Sequence, residues 1–388
     1  MTDRRRWLLA AFCFVAGDAM AMQSRGALLA RFEADFGVSE ALLGLVAPAG
    51  TVGFVAAIVL LGLLAGRLDV RLTMLVGAGA MAAFLFAIAV APVYWLFLLA
   101  LVAQGAAAGV FRAIDRPLLS HLYPERLGRV FVLYGLAWAL GAVTGPVLVS
   151  AVLLVAGWEL VYVLLGLFFV PIAIVVWRAE TPTEWGEEPL EVDALRSLLR
   201  KPAIRGTVLG MALVGGIEGA IFTWLPYYAG TFLEPTLAPL ALSAYLLAYV
   251  PGRYAYARAI DSVSYLRLSV VTAGLAIPLL AGVAWTRSSA GLLLAAFGAG
   301  LALSALFPLL SAYGVEVAPA YSGPVSALAT AGTYGGIATV PVVMGVVAER
   351  WSIALAMWLP VVLAAGLTVV VWRLRAFSVD ESGIAASS

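Results

Sequence analysis

Pro117-Leu118-Leu119-Ser120, at the end of one long apolar run, returns as Pro308-Leu309-Leu310-Ser311 in another, and Gly141, Thr144 and Pro146 return as Gly336, Thr339 and Pro341 at a constant offset of 195. Asp18 falls against Glu218 in the same way, at an offset of 200. Blocks that recur in one order across half a chain mark an internal duplication, and short differences in loop length account for the drift in offset.

Around these blocks lie apolar runs near 7–30, 41–65, 72–92, 94–117, 129–155, 159–178, 204–230, 238–258, 265–285, 289–312, 323–348 and 352–374. A helix rises ~1.5 Å per residue, so about 20 apolar residues cross a hydrocarbon layer ~30 Å thick. Backbone groups in lipid must be satisfied within the segment, and runs this long are helices rather than barrel strands. The composition agrees: 63% of the 388 residues are hydrophobic and 12% charged, with a mean hydropathy of +1.03. The expected fold is therefore an all-α membrane protein, twelve transmembrane helices in two six-helix bundles related by pseudo-twofold symmetry. Its boundaries are 1–179 for the N-terminal bundle, 180–203 for a linker and 204–388 for the C-terminal bundle. In the linker, Leu190, Ala194, Leu195, Leu198 and Leu199 recur at roughly helical spacing among Glu191, Asp193, Arg196 and Arg200, which predicts a short amphipathic helix on the membrane surface.

Orientation follows from the cations. With the N-terminus inside, seventeen arginines and lysines fall on inner segments and only Arg31, Arg287 and Arg350 on outer ones. Both termini are expected in the cytoplasm, in a multi-pass protein of the cell inner membrane. Arg4-Arg5-Arg6 and Ala19-Met20-Ala21 imitate a cleaved secretory leader, but the apolar pattern runs on to about Ala30 and is read as the first span.

Several function classes drop out. A net charge of +1 supplies no basic face for nucleic acid. Cys13 and His121 are the only residues of their types, so one chain assembles neither a disulfide framework nor a zinc site, and no cofactor is expected. Lys201, the only lysine, follows Leu199-Arg200 rather than a glycine-rich loop, which argues against ATP binding. An intramembrane enzyme would want histidine, cysteine or paired carboxylates at catalytic spacing. A sensor or scaffold that keeps the fold without transport stays open.

Gly62-Leu63-Leu64-Ala65-Gly66-Arg67-Leu68-Asp69-Val70-Arg71, between the second and third runs, resembles the signature loop of the major facilitator superfamily, with Gly66 at the position of the usual acid and Asp69 at that of a usual glycine. Gly141-xxx-Gly145-Pro146, Pro124-Glu125-Arg126-xx-Gly128-Arg129 and Gly157-Trp158 add to the likeness, which covers essentially the whole chain. The resemblance implies a solute carrier with a cytoplasmic latch around Arg67, Asp69 and Arg71. In the second half, Gly216-xx-Gly219 around Glu218, Trp224-Leu225-Pro226-Tyr227-Tyr228 and Gly300-xxx-Ser304-Ala305-Leu306-Phe307-Pro308 are similar to the fucose/glucose/galactose proton-symporter branch. That likeness implies a small, sugar-like solute. Alternatives are drug or metabolite efflux by proton antiport and an organic-anion carrier. In the drug exporters an arginine shortly precedes a Gln-Gly pair; here Gln104-Gly105 is present with Leu101 in that place.

An ionisable residue in the middle of a span is expensive and points to function. Asp18 and Glu218 are the candidates for proton coupling, because a carboxyl held in a medium of low polarity takes up a proton more readily. Arg25, two turns beyond Asp18, either neutralises it, meets an anionic solute or snorkels to the outer interface. Arg112, Asp115 and Arg116, at i, i+3 and i+4, suit a local ion-pair network at an inner gate; Arg112, the deepest, can also reach a solute. Gln104 offers a hydrogen bond to a solute or to a neighbouring helix. Trp138, Trp224 and Tyr334 offer flat apolar faces with polar tips suited to a sugar ring, although most aromatics in membrane helices simply pack. The expected partners are a small-molecule substrate, protons or another coupling ion, and the lipid bilayer; a monomer is the working expectation.

Overall fold

The computed structural model describes residues 3–64, 68–180, 196–260 and 262–385. Among them eleven helical stretches are long and apolar enough to cross a membrane. A twelfth crossing, the eighth in chain order, is made of two shorter helices, Ala238–Leu247 and Tyr249–Ala259. Arg67 and most of the expected amphipathic linker helix lie outside the described residues. At the end of that linker, buried Leu198 packs on Ile204, Ala318 and Val325 of the second half.

Proline decides where spans are interrupted. It lacks an N–H and its ring clashes with the carbonyl four residues back. Helices stop at Leu43, Leu247, Leu303 and Ala356, at or next to the residues four positions before Pro48, Pro251, Pro308 and Pro360. Pro117, Pro146, Pro171 and Pro341 stand in unbroken helices. The repeated tetrapeptide therefore has two outcomes, a continuous fourth span over Tyr94–Leu122 and a tenth divided into Ser289–Leu303 and Leu306–Val317.

The duplication is visible in the packing. In the first half the first span, Asp3–Ala27, lies on the fifth, Leu127–Val152; the second, Val46–Leu63, on the fourth; and the third, Val70–Ala89, on the sixth, Glu159–Trp177. The second half repeats this with the seventh, Pro202–Ala229, on the eleventh, Ser322–Arg350; the eighth on the tenth; and the ninth, Tyr265–Trp285, on the twelfth. A short 3-10 turn precedes both the fifth and the eleventh spans, at Pro124–Arg126 and Pro319–Tyr321. The two bundles meet through spans one and seven, five and eight, and two and eleven. Trp95, Trp177, Trp285 and Trp351 are exposed near the ends of spans, where interfacial tryptophans belong.

Glycines set the register between the halves. A Cβ at Gly141 would collide with the Ala16 carbonyl, and one at Gly336 with the Ala212 carbonyl; only glycine lets two helix backbones approach so closely. With spans five and eleven matched at Gly141-Thr144-Pro146 and Gly336-Thr339-Pro341, spans one and seven are related by an offset of 196. The structural counterpart of Asp18 is then Val214, and that of Glu218 is Met22. The sequence pairing of Asp18 with Glu218 is thus corrected by one helical turn, about 6 Å along the axis.

Candidate functional site

A cavity of about 480 Å³ lies between the two bundles, walled by both. It extends toward the end of the molecule that carries the chain termini, the terminal face, where Arg116, Ala257, Ile260 and Leu309 line it. At its inner end Met22, Phe222 and Ile337 separate it from a small void of about 30 Å³ nearer the opposite, distal face.

On the first-half wall, Arg112 Nη1 donates to Asp18 Oδ2 at 2.8 Å, with side chains 10% and 15% exposed. Arg112 Nε lies 3.5 Å from Asp115 Oδ2, and Asp115 is fully buried. The Tyr134 hydroxyl donates to the same carboxylate, while Asp115 Oδ1 finds no protein partner. The guanidinium of Arg112 stands 5.9 Å from the Phe54 ring and 5.7 Å from that of Tyr134, and Arg116 stands 5.4 Å from the Tyr134 ring. Such flat cation–ring contacts add to the ion pairs. Spacing along span four brings Arg112 and Asp115 together, while Asp18 arrives from another helix.

On the second-half wall the Tyr249 hydroxyl donates to Glu218 Oε1 at 2.7 Å, and Tyr245 lies 3.2 Å from Tyr249, hydroxyl to hydroxyl. Tyr249 opens the helix that follows the break before Pro251, so the interruption orients this hydroxyl. Arg253 sits one turn further on, its guanidinium 5.3 Å from the Tyr249 ring and 6.0 Å from that of Trp138 across the bundle interface. Its Nε is buried without a hydrogen-bond partner. Tyr334 lines the cavity, packs on Phe54 with ring centroids 4.9 Å apart, and lies within electrostatic reach of Asp18, Arg112, Arg116 and Glu218. Glu218 therefore lines the cavity itself, while Asp18 lies behind the opposite wall and meets it through Arg112.

Other expected site residues lie elsewhere. Arg25 does not snorkel: it is 9% exposed, donates to Gln104, and packs on Gly50 beside the small void. Gln104 completes its bonding with the Met81 sulfur at 2.9 Å and lines neither space. Trp224 is fully buried and donates to the Pro341 carbonyl at 3.0 Å, behind the distal seal. Of the loop residues, Asp69 caps the third span by accepting from Leu72 N at 2.6 Å. Arg71 donates to the Trp177 carbonyl at the end of the sixth span, where a helix terminus attracts a cation. Their described contacts tie helices within one bundle.

The distal face is shut by contacts between the halves. Tyr227 donates to Glu33 Oε2 at 3.0 Å, with Glu40 Oε1 at 3.4 Å, and Ala41 N donates to Glu349 Oε2 at 3.1 Å. A Cβ on Gly44 would stand 2.9 Å from the Pro341 carbonyl, and one on Gly345 2.5 Å from that of Glu40. Burial in this seal raises the pKa of Glu33, which lies beyond the spans; the Tyr227 bond pulls it back and the Glu40 charge adds to the rise. Sequence reading missed Glu33 and Glu40, whose partners are remote in sequence, and counted Arg253 only among the seventeen cations of the inner segments.

Residues 7–289 match the family model described as Major Facilitator Superfamily. The chain is similar to the solved structure of a bacterial homolog of the human lysosomal transporter Spinster in an inward-facing, unoccupied conformation, with TM-score 0.83, 14% identity and coverage of 96% of this chain and 97% of that one. It is similar to the nucleoside transporter NupG, with TM-score 0.80, 13% identity and coverage of 97% and 99%. It also resembles the transporter FucP in its outward conformation, with TM-score 0.62, 19% identity and coverage of 95% and 98%. At these identities the likeness speaks to the fold. No curated protein matches the chain by sequence.

Proposed function

This chain belongs to the Major Facilitator Superfamily, and from that premise we propose that it is a secondary transporter, coupled to protons, that carries a small polar solute of sugar-like shape across the cell inner membrane by alternating access. Both termini are in the cytoplasm in this reading, and the terminal face is the cytoplasmic one. One observation carries it: a single cavity, between bundles that seal against each other at the distal face, is lined by Glu218, held by Tyr249, and by Arg112, which holds the Asp18 carboxylate of the other bundle behind the wall.

The cycle follows from which bonds must break. Outward opening separates Tyr227 from Glu33 and Glu40, Ala41 from Glu349, and the close backbone passages at Gly44 and Gly345. Each contact joins one bundle to the other, so the bundles rock as units with their internal packing kept. A proton on Asp18 removes the charge that holds Arg112, leaving that arginine to Asp115 and the solute. Coupling arises when the state of Asp18 and the occupation of the cavity favour each other. Trp138, Tyr334 and Phe54 supply faces for a ring, and Arg112, Tyr249 and Arg253 supply polar groups. Once Asp18 and Glu218 are protonated, the arginines of the cavity outnumber its charged carboxylates and repel a lipophilic cation, so drug efflux by antiport is the weaker reading.

A thermal-shift screen of sugars, carboxylates and lipophilic cations on purified protein, followed by counterflow of the stabilising compound in proteoliposomes, tests the proposal. Saturable counterflow that concentrates the solute when an inward proton gradient is imposed supports it. Binding without counterflow would reassign the fold to a sensor or scaffold.

A further inference from the structure

The ionisable side chains that line the cavity, with the two carboxylates that Arg112 holds behind its wall, balance when all are charged: Arg112, Arg116 and Arg253 against Glu218, Asp18 and Asp115. They are not arranged alike. Asp115 is tied on one side by Arg112 and Tyr134 and faces Arg116. Asp18 is bonded to Arg112 and faces Arg25 and Tyr334; Glu218 is bonded to Tyr249 and faces Arg253, Tyr245 and Tyr334. Among the described residues no carboxylate stands within 4.0 Å of Arg253, whose buried Nε has no partner while its guanidinium lies near the rings of Trp138 and Tyr249.

If the two coupling carboxylates take up protons, Asp115 alone stands against Arg112, Arg116 and Arg253, an excess of two positive charges spread over both walls of a cavity lined largely by apolar and aromatic side chains. A neutral solute does nothing for them. A solute bearing a carboxylate halves the imbalance, and in a medium of low polarity that pairing is strong. Anion and protons then bind with mutual advantage, which is what tight symport requires. Resting on the carrier reading above, we propose that the solute is a small hydroxylated carboxylate of sugar-acid type, its acid group held between Arg253 and Arg112 and its ring against Trp138 and Tyr334.

The test uses two matched pairs that differ by a carboxylate in place of a hydroxymethyl group, D-glucuronate with D-glucose and D-galacturonate with D-galactose. Binding to the purified full-length chain is followed by tryptophan fluorescence at pH 5.5 and 7.5; the acids stay ionised at both. The expected result is an acid that binds at least about tenfold more tightly than its neutral partner at pH 5.5 and weakens by about tenfold or more at pH 7.5. In Arg253→Gln the preference for the acid disappears, and Arg253→Lys, which keeps the charge and loses the planar fork, is intermediate. Equal or tighter binding of the neutral sugar, an acid affinity indifferent to pH, or no binding by any of the four overturns the proposal. The carrier reading is judged separately, by whether single cysteines placed in the cavity and behind the distal seal exchange accessibility between the two faces. Alternating accessibility with a neutral-sugar preference sinks the anion site alone; acid binding with fixed accessibility sinks the carrier alone.

Discussion

The two bundles share one backbone plan and treat their membrane carboxylates differently. In the first half Asp18 is met by Arg112, which also reaches Asp115, so the acid lies in a network of charges. In the second half Glu218 is met by a tyrosine hydroxyl, itself beside a second tyrosine, and the nearest arginine stands off against aromatic rings. The acids also sit one turn apart in the register that the glycines define. Duplication fixed where the helices pass, and substitution at non-equivalent positions gave each half its own chemistry. A charged pair binds its members to each other and leaves a costly orphan when one is removed; a hydroxyl serves a carboxyl in either protonation state.

The largest expected contrast is in coupling. Asp18→Asn is expected to reduce gradient-driven accumulation in proteoliposomes to the exchange background while exchange itself persists, and full accumulation in that variant would remove Asp18 from the coupling role. A stability difference comes next. Asp18→Ala takes from Arg112 the nearer of its two carboxylate partners and is expected to cost about 2 kcal/mol, whereas Glu218→Ala removes one hydrogen bond to a tyrosine and costs about 1 kcal/mol. Unfolding measured in the same detergent checks both, and equal losses would break the contrast between the halves. Tyr249→Phe is smaller again, a change of about five- to tenfold in transport rate with a displaced pH profile. An unmoved profile would mean that the hydroxyl does not attend to a titrating Glu218.

The smallest effect is at the distal seal. Closure buries Glu33 and raises its pKa above that of the open, solvated state. Protonation therefore favours closure: the contribution is fully present below the ordinary carboxylate value and is lost as pH rises through the value of the closed state. A cysteine in place of Thr51, labelled from the distal side, is expected to react about twofold faster at neutral than at acid pH. Glu33→Gln should flatten that dependence, and an unchanged slope in it would assign the effect to another group.

Most of the architecture was legible, because crossing a membrane demands long apolar helices and the repeated Gly-Thr-Pro block announced the duplication. Helix interruption was legible in outline, since prolines were visible; that Pro308 breaks a span while Pro117 does not depends on the packing around each. Asp18 and Glu218 were recognised as lone ionisable residues in apolar runs, and Arg112 as the deepest of the charged cluster it forms with Asp115 and Arg116. Their partners were not: Asp18 and Arg112 are 94 residues apart, and Tyr249 looked like any other aromatic in a span. Arg25, Gln104 and Trp224 carried the same surface signs as the cavity residues, yet they point into a packed interface or the distal seal.

By itself, the order of residues determined the twelve crossings and the glycines that bring helices together, because the cost of burying backbone polar groups in lipid and the steric limits of close approach act locally along the chain. Only the tertiary structure decided which carboxylate meets an arginine and which a tyrosine, and which face of the molecule is sealed. Those outcomes depend on the rotation and axial shift of one helix against another, where a single turn moves a side chain about 5.4 Å and exchanges its neighbours.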